Sequence, residues 1–328
     1  MFLRIIKANH FYNFLLIPAL GFLMLLRSIL KDGAFPGENY TSTTPLFMPL
    51  YNSGIPMWGA ILINFAVVLI LCFMLLQINA KFAFVKERTF LPSFLFMVII
   101  YALPELRVIQ PIFISGIFVI LAIKSIFSSF EKKGAIKNAF DAGFFIGIAG
   151  FFYFYANFFI ILIPLSISVL RNSLNWRETV VSFIGLFIPW LLLFSFYFIG
   201  GDVNTLLDYI INSFSIKEKS FMIHLPIQIY LVYLMLIITI SSVFILQQYG
   251  IKNISVRRYF KILFMFFITS LAMLLSPHVS TEVLVFLTIP LTFLITNYLI
   301  FVNRRRWAEL FLIVLVMISV SIQFFVDG

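Results

Sequence analysis

The stretch ILINFAVVLILCFMLL, from Ile61 to Leu76, carries no charge and a single amide, Asn64. With its apolar flanks it reaches the ~20 residues that an α-helix needs to cross the ~30 Å hydrocarbon core of a bilayer. Val180–Ile199 and Leu310–Val326 repeat the pattern, again without a charge. A membrane β-barrel would instead show short segments of alternating hydrophobicity. The whole chain agrees with the helical reading. Its 328 residues are 62% hydrophobic and 11% charged, with mean hydropathy +1.08, where soluble domains are roughly half apolar and ~25% charged. The fold class is therefore all-α, a polytopic helical membrane protein. No tandem repeat, linker or soluble segment breaks the pattern, so residues 1–328 are expected to form a single integral membrane domain.

Working outward from Ile61–Leu76, apolar length predicts eleven spans, at 11–30, 57–79, 90–103, 109–127, 140–155, 158–170, 179–199, 225–248, 260–276, 282–302 and 310–326. The pairs 90–103/109–127 and 140–155/158–170 are short and split by polar or proline-containing breaks. Each pair alternatively forms one interrupted hairpin that crosses only in part. Met1–His10 carries Arg4 and Lys7, but the run after it ends without a small-residue cleavage site, which predicts a retained first helix rather than a signal peptide. Cys72 lies within an apolar run and reads as a small buried residue.

The basic residues give the orientation. Arg4, Lys7, Lys81, Lys86, Arg88, Lys124, Lys132, Lys133, Lys137, Arg171, Arg177, Lys252, Arg257, Arg258, Lys261 and Arg304–Arg306 fall in alternate gaps. They are 18 of the 23 Lys and Arg, leaving only Arg27, Lys31, Arg107, Lys217 and Lys219 for the other side. The positive-inside rule then predicts an N-in, C-out chain. The same distribution accounts for the net charge of +10 without nucleic acid, since the charges flank membrane ends and face anionic headgroups.

Most acids lie on the opposite, external side, including Asp32, Glu38, Glu105, Asp202, Asp208 and Glu282. Two longer loops, about 31–56 and 200–224, face the same way. The first is rich in Gly and Pro turns. The second carries Leu206, Leu207, Ile210, Ile211 and Phe214 at helical spacing, which predicts an amphipathic helix at the interface.

No Cys/His metal spacing, phosphate loop or G-x-S-x-G elbow is present, and the three histidines are isolated, so no metal site is expected from the sequence. The candidate chemistry rests on the external acids. Asp32 and Glu38 flank a Gly/Pro turn directly after the first span, where a carboxylate can act as general base toward a hydroxyl, or hold a divalent cation against a lipid phosphate. They are the expected catalytic pair. Lys31, Glu105, Arg107 and His278 are the expected substrate-binding residues. Glu105 and Arg107 share the Pro104–Arg107 break, and His278 lies at an external helix end with His224 on the same side. Asn157, after Tyr153 and Tyr155, reads as an interfacial belt position, and Asp141 as a helix N-terminal cap.

Ala139–Ala149, AFDAGFFIGIA, resembles the A-G-x-x-x-G-x-A stretch of GT-C-type membrane glycosyltransferases, followed as there by a hairpin and the cytoplasmic Asn175-Trp176-Arg177-Glu178. In that superfamily the first external loop bears the catalytic acid, a place taken here by Asp32 and Gly37-Glu38-Asn39-Tyr40. The late external Arg-Tyr of that superfamily is absent, and Ser276-Pro277-His278 stands near its position. Over its whole length, including Ile289-Pro290-Leu291-Thr292-Phe293 and Thr296-Asn297-Tyr298, the chain is similar to a family of multi-pass inner-membrane proteins of Bacteroidota without assigned activity. The resemblances imply the bacterial inner membrane and a GT-C-like arrangement of helices. They also imply a polyprenyl-phosphate-linked sugar or other membrane lipid as partner, with a divalent cation as the cofactor a glycosyltransferase reading would bring. The competing expectation is a non-enzymatic scaffold or accessory subunit of an envelope complex. A secondary transporter ranks below both, because almost all charges lie at span ends.

Overall fold

The computed structural model describes residues 11–30, 44, 46–47, 54–84, 89–130, 134–171, 175–215, 225–248, 250, 252–302 and 305–325. These form twelve α-helices and no strand: α1 (Phe11–Ile29), α2 (Met57–Phe82), α3 (Leu91–Ala102), α4 (Pro111–Phe127), α5 (Ile136–Phe152), α6 (Leu162–Arg171), α7 (Trp176–Gly200), α8 (Val203–Ser213), α9 (Leu225–Gln247), α10 (Ile254–Leu275), α11 (Leu284–Phe301) and α12 (Arg305–Phe325). Tight 3₁₀ turns occupy Pro104–Arg107, Phe154–Ile161 and Thr281–Val283. Among the described residues seven helical segments are long and apolar enough to cross a membrane, and Leu15–Ile29, Leu91–Ala102 and Pro111–Phe127 are shorter apolar helices. That composition marks a membrane-embedded protein.

Helices α10 and α12 start six and five residues before their predicted apolar runs, so Arg257, Arg258 and Arg306 are helical. Long basic side chains at a helix end reach the interface along their own stems, so apolar length underestimates the helix.

The core is built around α3 and α11. Every residue of α3 is buried, as is α11 from Leu284 to Leu299. Segment Thr281–Phe301 is 94% buried over its most apolar window, whereas Trp176–Gly200 is 17% buried, which puts α11 at the centre and α7 at the lipid-facing edge. A helix apolar on all sides is stable only when other helices surround it, and α3, α4, α9 and α10 pack on α11.

Helix α7 is attached chiefly through α5. A Cβ added to Gly143 would lie 2.0 Å from the Ser182 carbonyl oxygen, one on Gly147 2.7 Å from that of Leu186, and one on Gly185 2.5 Å from that of Phe140. The Ala-Gly-x-x-x-Gly-x-Ala spacing is therefore a backbone-to-backbone helix crossing.

Asp141, expected as a cap, is the sixth residue of α5 and too far from its start to serve. The carboxylate at that N-terminus comes from α7: Glu178 accepts from the Ala135 amide at 3.1 Å and pairs with Arg171. This binds the starts of α5 and α7 to the end of α6, where the Arg258 guanidinium also reaches the Leu170 carbonyl. Lys81 donates to Ser128 at the same end.

Lys252, in the connection before α10, lies 5.1 Å and 4.9 Å from the ring centres of Phe260 and Phe301. Burial pulls its pKa from 10.5 down to about 8. Between those two pH values the folded chain binds fewer protons than the unfolded one, so stability rises with pH across that window. Lys252→Met is expected to melt slightly above wild type at pH 7.5, by a few tenths of a kcal/mol after allowance for its partial exposure. The difference should vanish by pH 10.5 in melting curves followed by tryptophan fluorescence. A constant offset at both pH values would contradict the assignment.

Candidate functional site: a recessed polar floor

At the opposite end of the bundle, two helical hairpins stop short of their neighbours. Helix α3 has 12 residues, ~18 Å at 1.5 Å per residue, against a hydrocarbon core of ~30 Å. The Asn64 amide donates to the Leu106 carbonyl at 2.9 Å, and Asn64 is seven residues inside α2, so the turn after α3 lies ~10 Å below the start of α2 at Met57. The turn after α5 is recessed likewise. Trp190 Nε1 donates to Asn157 Oδ1 at 3.1 Å, and Trp190 is ten residues before the end of α7, a depth of ~15 Å. Asn157, expected in an aromatic belt, instead fastens this turn: its Nδ2 donates to the Phe154 carbonyl at 2.8 Å and packs against Gly150, where a Cβ would meet it at 2.3 Å. Irregular backbone at such depth persists only where protein buries it or water reaches it.

Three turns meet in this recess. Thr281, in the turn before α11, donates to Glu105 Oε2 in the turn after α3. Gln110 Nε2 donates to the Glu105 carbonyl at 2.8 Å, and the Tyr153 hydroxyl lies 3.4 Å from that of Ser280. Glu282 is only 8% exposed and joins Thr44, Pro111, Phe152, Tyr153, Phe154, Tyr155, Tyr209 and Ser213 around one cleft. The free space there is about 10 Å³, room for about one water.

Helix α8 roofs the cleft. Its face Leu206, Tyr209 and Ser213 turns inward, while Leu207, Ile211 and Phe214 face out, as expected of an interfacial amphipathic helix. The Tyr209 hydroxyl donates to the Gly150 carbonyl at 3.0 Å, and that of Tyr155 to the Ser213 carbonyl at 2.8 Å.

Of the residues expected to bind substrate, Glu105 is in this floor and Arg107 supports it. Arg107 is 1% exposed; its Nε donates to the Tyr101 carbonyl at 3.1 Å and its Nη1 to Ser28 Oγ at 3.4 Å. His278 is half-buried three residues before Thr281, and its buried Nδ1 has no hydrogen-bond partner among the described residues. Asp32, Glu38 and Lys31, as well as His224, lie outside the described residues. Among the described residues no three of His, Cys, Asp and Glu group as metal ligands. Thr281, Ser280, Gln110 and Tyr209 were missed from sequence, although Ser276–Glu282 is visibly a polar interruption between two apolar runs.

Carboxylates and hydroxyls set among aromatic rings make a surface that can accept hydrogen bonds from a polyhydroxy group and cover its C–H faces. The chain matches no curated protein and no solved structure. A family model described as a family of unknown function, DUF6427, matches residues 46–326, a range that includes all three recessed turns, α8 and every residue named around the cleft except Thr44: the chain belongs to the DUF6427 family.

Proposed function

We propose that this protein is a multi-pass component of the bacterial inner membrane. It has eleven membrane-entering segments, with the N-terminus inside and the C-terminus outside, and its outward-facing recess binds the sugar headgroup of a lipid-linked substrate for envelope glycan assembly. The observation that carries the reading is the cleft itself: Glu282 beside Tyr153, Tyr155, Phe154 and Tyr209, with Glu105 tied to the adjoining Thr281, recessed below the helix ends under an amphipathic roof. Ionisable groups at that depth are costly and are kept for function by default. The alternating charge pattern supports the orientation, because the polar recess falls at the end poor in Lys and Arg.

In a GT-C-like reaction, Asp32 or Glu38 takes the proton of the acceptor hydroxyl as its oxygen attacks the anomeric carbon. The lipid phosphate leaves with the bonding electron pair. Lys31 steadies that phosphate, and Arg107 braces the turn that carries Glu105. The small-residue crossing of α5 on α7 lends this reading no weight, since helix packing accounts for it. Glu105, Glu282 and the tyrosines are assigned to headgroup binding.

The test is a set of substitutions at wild-type membrane levels: Glu105→Gln, Glu282→Gln, and Asp32→Ala and Glu38→Ala singly and together. Loss of an envelope glycan in the floor variants and in the loop variants is the expected result, with at least a tenfold drop for Glu282→Gln. Unchanged glycan in the loop variants alone removes the catalytic assignment and leaves a binding or accessory role. Unchanged glycan in all of them removes the whole reading.

A further inference from the structure

A second cavity lies away from the recess, in the half of the bundle nearer Lys81. Ser93, near the start of α3, donates to the Cys72 carbonyl at 2.6 Å, and Cys72 is ten residues before the end of α2. Helix α3 thus begins well inside the bundle and leaves the flank of α2 uncovered. The result is an apolar groove of about 370 Å³ between α1 and α2, floored by the buried Cys72 and Ser93, with Pro18, Phe90, Ile70 and Phe73 around it. Ile70 and Phe73 are about half exposed and form its mouth. The thiol and hydroxyl on its floor are already engaged with carbonyls across the α2–α3 contact, Cys72 to Ser93 and Ser93 to Cys72. The groove therefore offers no polar recognition of its own.

We propose that this groove holds one acyl chain of an anionic phospholipid whose headgroup rests at Lys81. Length and charge argue for this occupant. From Leu69, at one end of the groove, to Lys81 is twelve residues of α2, ~18 Å along the axis, close to the ~15 Å of hydrocarbon in one leaflet. Lys81 is exposed, its ammonium held beside the last turn of α4, which carries Lys124. One lysine at a membrane surface favours an anionic headgroup by ~1 kcal/mol, about fivefold. The groove opens to the side, where a chain slides in from the bilayer without leaving hydrocarbon. The inference is independent of the sugar-headgroup reading, because no residue of the recess lines the groove.

The experiment reconstitutes the full chain into nanodiscs of equal phosphatidylglycerol and phosphatidylcholine and counts retained lipids by native mass spectrometry. Wild type is expected to keep one phosphatidylglycerol, about fivefold over phosphatidylcholine. Lys81→Gln should bring that ratio to about one while a lipid stays bound. Ile70→Trp and Leu76→Trp, which fill the groove from its mouth and its side, should each cut retention at least fivefold. Full retention in both tryptophan variants, or an unchanged ratio in Lys81→Gln, overturns the proposal. So does a wild-type dimer that Ile70→Trp dissociates, because a second copy would then cover the groove. Glu282→Gln should retain lipid as wild type does, which separates failure here from failure of the recess.

Discussion

Gly143→Leu is expected to abolish accumulation of folded protein, and even Gly143→Ala should cost about 3 kcal/mol or more, at the upper end of overpacking penalties. The reason is what the new atom meets. At Gly143 a Cβ would lie 2.0 Å from the Ser182 carbonyl oxygen and 2.9 Å from its carbonyl carbon. Both belong to a helix backbone that cannot rotate aside as a side chain does. The neighbouring close approaches at Gly147 and Gly185 prevent relief by sliding. Opening the crossing would also draw Glu178 away from the Ala135 amide and Arg171. Helix α7 is 17% buried over its most apolar window and gains most of its packing through this seam, so little else would hold it. Gly116→Ala is the control: its Cβ meets side-chain methyls at 3.6 Å, ordinary contact, and should melt within about 0.5 kcal/mol of wild type. Fluorescence-detected size exclusion and melting curves would read both. A monodisperse Gly143→Leu protein melting with wild type would refute the crossing.

Hydropathy made one dimension of this fold legible: where the long apolar helices run and where they break. Ile61–Leu76 does lie inside a membrane-length helix, and the breaks at Pro104–Arg107 and Tyr153–Asn157 are turns, as their composition indicated. What such patterns lack is lateral information. Nothing in a one-dimensional profile brings Thr281 to Glu105, 176 positions away, or assigns the carboxylate at the start of α5 to Glu178 rather than Asp141. The short apolar length of α3 was visible, but its central position was not, because a short buried helix and a short lipid-facing one have the same composition. Gly143 and Gly147 show the converse. Their spacing was legible as one that close helix packing uses, but only the backbone distances name α7 as the partner.

Arg107 is where placement most changes an expectation. Read from sequence it is a substrate-binding residue in an external turn; in the fold its guanidinium is buried and braces the end of α1, through Ser28, against the Tyr101 carbonyl at the end of α3. Arg107→Ala should therefore destabilise the protein by about 3 kcal/mol, combining a cavity with a buried carbonyl left unpaired. Arg107→Met restores much of the volume and should recover about half of that loss. Arg107→Lys should do little better, because a single ammonium cannot reproduce the planar fork that serves two directions. If Arg107 served only a ligand, all three variants would melt with wild type. The comparison with Glu105 completes the argument. Arg107 and Glu105 share one turn, so loosening Arg107 also frees Glu105 from Thr281, and any loss of glycan in Arg107→Ala should track its loss of stability. Glu105→Gln keeps an oxygen for the Thr281 hydroxyl and should melt near wild type, so a glycan defect there is chemical. A strut and a ligand in the same four-residue turn are thus told apart by whether function falls with the melting temperature or without it.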